Sequence, residues 1–280
     1  LYDRSSALPL TSCWEKRPTE NAPWQDWKKQ HRRLKPPEKH WKHLMIEIRN
    51  LVRRYGDKTA VDQLNLEIPA GVFYTFLGPN GAGKTTTMKI MAGLLKPSEG
   101  EVFIEGIEIT ENPTEAKKRI GYIPDHPYLY ERITGWEFLR FTGGLHDMEP
   151  GKLTSRAEEL LDFFSLAGEA HQLIDTYSHG MRQRLAFCSC FLHDPGVAII
   201  DEPWAGLDPR NIRSAIEFLK RRCEAGVTIF MSTHSLDIAE NTAERLGILH
   251  QGKLLYDGTL EKLRSDNSSD LEEIFLEMTD

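Results

Sequence analysis

The sequence predicts an α/β fold: a mostly parallel sheet, an N-terminal antiparallel β subdomain, and an α-helical subdomain inserted into the core. Three observations carry this. An apolar run, Val72-Phe73-Tyr74-Thr75-Phe76-Leu77, leads into a glycine-rich turn and then into the helix-compatible run Thr87-Met88-Lys89-Ile90-Met91-Ala92. Ahead of it, Ile46-Glu47-Ile48-Arg49 and Leu64-Asn65-Leu66-Glu67-Ile68 alternate as strands with one buried face do. Behind it, from about residue 125 to 176, the pattern turns helical, with Leu153, Ala157, Leu160, Leu161 and Phe164 at helical spacing.

The turn between the first strand and helix reads Gly78-Pro79-Asn80-Gly81-Ala82-Gly83-Lys84-Thr85-Thr86. Glycine, four residues, then Gly-Lys-Thr is the phosphate-binding loop pattern, and strand before with helix after is the context it requires. The core is therefore predicted to be that of a P-loop NTPase. Glycines let backbone N–H groups curl around phosphate oxygens, and the helix that follows points its positive end at the same anion. Lys84 is expected to bridge the β- and γ-phosphates of ATP, and the Thr85 hydroxyl to ligate Mg²⁺.

Composition sets the bounds. The 280 residues are 40% hydrophobic and 28% charged, which suits a globular chain with a sizeable core. No run approaches the roughly 18 apolar residues of a membrane span, so membrane contact is expected only through a partner. Four scattered cysteines give no disulfide framework and suit a reducing cytoplasm. Cys188 and Cys190 read as packing residues. The formal charge of −7 argues against nucleic acid as a partner. It is uneven: residues 1–43 hold ten Lys/Arg and five Asp/Glu, a net +5, which leaves −12 for the rest.

Residues 1–44 are expected to form a basic, Trp- and Pro-rich arm, poorly ordered apart from a short helix near Trp24–Leu34. Docking to a partner or an anionic membrane face, a plain linker, and an extension foreign to the native product all remain open for it. The ATP-binding domain is expected over 45–264, and 265–280 as a polar linker with a short terminal helix. Within the domain, Val102–Ile104 and Ile107–Ile109 pair around Gly106, and Arg119–Pro124 is a strand that ends at Asp125. Thr134-Gly135-Trp136-Glu137 is a capping box. Asp208 is the N-cap of a helix with Pro209 at its first position and Gly226 just past its end. Val227–Met231 is a strand that delivers His234, and Ile248–Tyr256 is a hairpin about Gln251-Gly252.

The second element of the site is Asp201-Glu202, at the end of the apolar strand Val197–Ile200. Alternation points the two acids differently. Asp201 is placed to hold Mg²⁺, directly or through water, and Glu202 to polarise a water attacking the γ-phosphate.

Tyr55, the loop Gly78–Thr86, Tyr177-Ser178-His179-Gly180-Met181, Asp201-Glu202-Pro203, Gly206-Leu207-Asp208 and His234 come in an order that resembles the ATP-binding subunit of ABC transporters. The resemblance covers the chain from about Met45 onward. It implies that Tyr55 stacks on adenine and that Ser178 and Gly180 contact the γ-phosphate of ATP bound to a second ATP-binding subunit. It further implies that Asp208 lies across that dimer interface and that His234 senses the γ-phosphate. Homodimer and heterodimer are both compatible with it. Two positions depart from the family's usual pattern. The signature is usually Leu-Ser-Gly-Gly-Gln, so the phosphate-touching serine and second glycine are kept while His179 and Met181 are not. Asp125 stands where the family places a glutamine; it retains reach to Mg²⁺ but adds negative charge. Both variants, and the ending Leu271–Leu276, are similar to those of exporter-type subunits that pair with a separate transmembrane permease. The reading is thus an ATPase that powers export and sits at the cytoplasmic face of the membrane. A soluble ABC-type ATPase and an importer subunit are the alternatives. Next to Asp125, His126-Pro127-Tyr128-Leu129-Tyr130 falls where the family receives a helix of its membrane partner; partner contact and core packing weigh equally for it.

Overall fold

The computed structural model describes residues 44–267 and 270–279. The expected basic arm, apart from Leu44, lies outside the described residues, as does the short helix expected within it.

Two sheets make the framework. In the first, β1 (Leu44–Tyr55) and β2 (Lys58–Pro69) form a long antiparallel hairpin, and β4 (Glu99–Ile104) and β5 (Ile107–Glu108) extend it in the order β2-β1-β4-β5. Both hairpin strands run further than the alternating stretches expected. Gly56, at φ 57, helps turn the chain between the paired residues Tyr55 and Lys58.

In the second sheet the order is β10-β9-β3-β8-β7-β6. Its strands are β3 (Phe73–Leu77), β6 (Ile120–Ile123), β7 (Val197–Asp201), β8 (Thr228–Thr233), β9 (Arg245–His250) and β10 (Lys253–Thr259). All neighbours are parallel except the β9–β10 hairpin. β7 and β8 are apolar throughout because both their faces are covered. Ala198, Ile200, Ile229 and Met231 enter one core; Val197, Ile199 and Phe230 enter the other.

The first of these cores packs the sheet on the helical side of the molecule: α3 (Gly135–Leu145), α4 (Pro150–Phe163), α5 (His179–Phe191) and α6 (Pro209–Glu224). The second packs it on the antiparallel sheet, with α1 (Lys84–Met91) and α2 (Pro113–Lys118). A small third cluster ties α7 (Leu236–Thr242), α8 (Leu260–Asn267) and α9 (Leu271–Thr279) to Leu77, Leu246 and Ile248. Each fully buried Phe or Ile contributes roughly 1.5–3 kcal/mol relative to exposure. Among the described residues no helix is long and apolar enough to cross a membrane.

Two expectations need correction. The helical signal was placed from residue 125, but the chain is non-helical up to Thr134. Pro124 and Pro127 cannot donate backbone hydrogen bonds, and each disfavours a helical conformation in the residue before it. The helix starts where the capping box sits: Thr134 Oγ1 accepts from the Glu137 N–H, and the Thr134 N–H donates to Glu137 Oε2. The polar stretch expected to open a linker at Ser265 instead ends α8, whose buried Leu263 anchors it.

Candidate nucleotide site

The phosphate-binding loop leaves β3 at Leu77 and enters α1 at Lys84, capped by Gly83 at φ 111. That backbone angle is open to glycine at little cost. Space enforces the choice as well: a Cβ on Gly83 would collide with the carbonyl oxygen of Ala60, and one on Gly78 with that of Leu249. The loop is further pinned where Gly252 N–H donates to the Ala82 carbonyl at 2.8 Å.

Lys84 is buried, and its Nζ donates to the carbonyls of Gly78 at 2.6 Å and Pro79 at 3.2 Å. It also lies 3.5 Å from Glu202 Oε1. Burial lowers its pKa, against the upward pull of Glu202 and Asp201. A cavity of about 390 Å³ opens over this loop, lined by residues 80–86 with Tyr55, Lys58, Ala60, Asp125 and Glu202. Gly78 and Pro79 do not line it; their carbonyls hold Lys84.

Asp201 ends β7 fully buried. Ser232, its partner on the neighbouring β8, donates to its Oδ1 at 2.6 Å, and the Thr85 hydroxyl hydrogen-bonds to it as well. Burial raises its pKa despite these bonds. Asp201 Oδ2 has no partner among the described residues. Glu202 follows in a left-handed backbone conformation, φ 45, its N–H donating to Ser232 Oγ at 3.1 Å. This non-glycine residue at positive φ breaks the strand's alternation and turns the carboxylate toward Lys84 on one side and His234 on the other. His234 Nδ1 lies 2.9 Å from Glu202 Oε2, and the His234 side chain is 61% exposed. Strained backbone of this kind clusters at functional sites.

Tyr55 is half exposed at the cavity rim, with the Arg53 guanidinium 4.6 Å above its ring centroid. Asp125 lines the cavity, its Oδ2 2.9 Å from His126 Nδ1. The signature residues lie apart from it. Ser178 caps α5, its Oγ accepting from the Met181 N–H, and Asp208 caps α6 by accepting from the Arg210 and Asn211 N–H groups. Those bonds lower the Asp208 pKa, the Asn211 N–H foremost. The two helix starts touch: a Cβ on Gly180 would meet the Gly206 carbonyl oxygen at 2.8 Å. None of Ser178, Gly180 and Asp208 lines the cavity. Beyond the site, Tyr128 and Tyr130 are 92% and 59% exposed, and only Leu129 of that stretch packs on the core.

Four residues of the site escaped the reading of the sequence: Lys58 and Ala60 in the cavity wall, Ser232 beneath both acids, and Tyr122. Only strand register exposes Ser232 and Tyr122, so no local motif pointed to them.

This geometry, a phosphate loop under a carboxylate pair in a mostly parallel sheet, defines a P-loop ATP-binding domain. Residues 61–205 match the family model described as ABC transporter. The chain is 36% identical over 226 residues, 81% of its length and 68% of the relative's, to the daunorubicin/doxorubicin resistance ATP-binding protein DrrA of Streptomyces peucetius. It is also similar to a solved ATP-binding subunit of an ABC transporter, at a TM-score of 0.80 and 31% identity over 84% of this chain and 100% of that one. A bacterial ABC transporter cassette solved as a dimer gives 0.72 and 27%, over 77% of this chain and 99% of that one. The chain belongs to the ABC transporter family, as an ATP-binding protein.

Proposed function

We propose that this chain binds ATP with Mg²⁺, hydrolyses it as one of two paired ATP-binding subunits, and thereby drives export through a separate transmembrane permease at the cytoplasmic face of the membrane. The observation that carries the reading is the convergence of Lys84, Glu202 and His234 above a phosphate loop. Lys84 leaves the Gly78 and Pro79 carbonyls to meet the β- and γ-phosphates, which the loop N–H groups and the α1 N-terminus also face. Glu202 takes the proton of the attacking water, and His234 holds Glu202 in place and meets the γ-phosphate. Tyr55 offers its ring to the adenine.

The donor set suits a hard cation: the Thr85 hydroxyl, the partnerless Asp201 Oδ2 and Asp125 are all oxygens. No group of three or more His, Cys, Asp or Glu among the described residues could hold a metal alone. That agrees with Mg²⁺, which relies on one or two carboxylates plus substrate phosphates. Bound there, it would neutralise charge developing on the phosphates.

The pairing follows from Ser178, Gly180 and Asp208. They carry phosphate-binding chemistry yet lie outside this chain's own cavity, so they are assigned to ATP held by the second subunit. Export rests on the drug-resistance relative and on the exposed Tyr128 and Tyr130, which offer an aromatic contact for the permease.

The test holds Glu202→Gln protein with MgATP in detergent-solubilised native membranes and identifies what elutes with it. A polytopic membrane protein supports the reading. Soluble proteins alone, from a protein that still binds ATP and pairs, would shift it to a soluble ABC-type ATPase.

A further inference from the structure

Two buried polar atoms on one face of the parallel sheet lack a protein partner. One is Asp201 Oδ2; the other is the hydroxyl of Tyr122 on β6. β6 runs parallel to β7 with Tyr122 opposite Ile199 and Ile123 opposite Ile200. Side chains alternate, so Ile199 and Asp201 share a face, and Tyr122 shares it as the lateral neighbour of Ile199. Tyr122 packs on the same core as Ile199. This makes Tyr122 a diagonal neighbour of Asp201, a spacing that aromatic side chains span. Burial, with the Asp201 and Asp125 carboxylates behind it, pushes the phenol pKa up, so the group stays a donor at neutral pH. A buried hydroxyl without a partner costs roughly 1–3 kcal/mol. Phenylalanine would fill the same space without that cost.

We propose that Tyr122 is a positioning residue of the nucleotide site, its hydroxyl donating to a water held by the divalent cation on Asp201. The proposal rests on the assignment of Asp201 to that cation. Tyr122 then fixes the cation's water shell from the β6 side, as Ser232 fixes the carboxylate from the β8 side. Hydrogen bonds of this outer kind typically change metal affinity about 10–100-fold.

The experiment compares Tyr122→Phe with the unaltered hydroxyl, both in the full chain carrying Glu202→Gln to arrest turnover. ATP affinity is measured without divalent cation by calorimetry, and Mn²⁺ affinity of the ATP complex by electron paramagnetic resonance. The expected result is unchanged cation-free ATP affinity and about a tenfold loss of Mn²⁺ affinity. Unchanged Mn²⁺ affinity would overturn the proposal, and so would an equal loss of ATP affinity with and without the cation. If the Tyr122 protein holds Mn²⁺ no more tightly than ATP does in free solution, the cation assignment of Asp201 itself fails, and Tyr122 falls with it.

Discussion

The cavity and the signature surface present the same kind of chemistry in opposite states. Around the cavity, side chains from four elements meet: Lys84 from α1, Asp201 and Glu202 at the end of β7, Ser232 from β8, and His234 just beyond it. Their polar groups are mostly engaged with one another. At the signature surface, Ser178 and Asp208 cap their own helices, and nothing in the same chain faces them as a ligand pocket would. The contrast teaches where a single chain stops being sufficient. The cavity is a nearly complete machine for holding phosphate and activating water; the signature surface is half of a machine whose other half lies on a second molecule.

The sharpest break of that contrast is Glu202→Gln. Turnover is expected to fall about 10²–10⁴-fold while MgATP binding persists, read by phosphate release against equilibrium binding. Turnover within a few-fold of the unaltered protein would assign water activation to another group. Ser178→Ala comes next. It should lower turnover about 10²-fold, the scale for removing one donor from a developing charge, with ATP affinity of the isolated chain unchanged. It also removes a helix cap, costing about 1 kcal/mol in denaturant unfolding. Turnover independent of protein concentration, and unaffected by Ser178→Ala, would make the cavity self-sufficient.

A third test concerns the joint between helical subdomain and core. His146 ends α3 and stacks on His193 at 3.6 Å between ring centroids, and His193 Nε2 lies 3.1 Å from the Ile120 carbonyl. Burial lowers both pKa values, that of His193 to about 4; Asp147 and Asp194 oppose this, and Lys118 adds to it at His146. The fold therefore excludes protons that the unfolded chain accepts below about pH 6.5. Stability should be level above pH 7 for this pair and fall as pH drops from 6.5 toward 4, in thermal melts across that range. His193→Gln should flatten the slope; an unchanged slope would place it elsewhere. Smallest on the isolated chain is Tyr128→Asp: no change in melting or ATP binding, with loss of permease-stimulated turnover as the only signal. Equal loss of ATP binding would take Tyr128 out of partner contact.

Much of this was legible in the sequence because it is local. The phosphate loop is one unbroken motif, the Thr134–Glu137 capping box closes within one turn, and Asp208-Pro209 marks its own helix. Legibility failed where partners come from distant strands. Ser232 looks like any residue near the end of an apolar strand until register sets it beside Asp201. The stretch 125–134 was drawn into the helix that follows because its aromatics fit a helical pattern, while Pro124 and Pro127 had already removed that option. Glu202 was assigned by alternation alone; its positive φ, which aims the carboxylate, is invisible to alternation.

The fit of Gly78 and Gly83 against the backbones of Leu249 and Ala60 has a consequence for how the site recognises its ligand. A loop wedged between two other strands cannot widen or tighten to suit what arrives. Its shape is settled when the chain folds, so little conformational entropy is left to lose on binding. With Lys84 resting on the loop's own carbonyls, a lone small anion must compete for that ammonium with few contacts of its own. A triphosphate brings several oxygens to a fixed mould at once. The socket therefore selects by length and number of contacts, and stray phosphate in the surroundings is a poor rival.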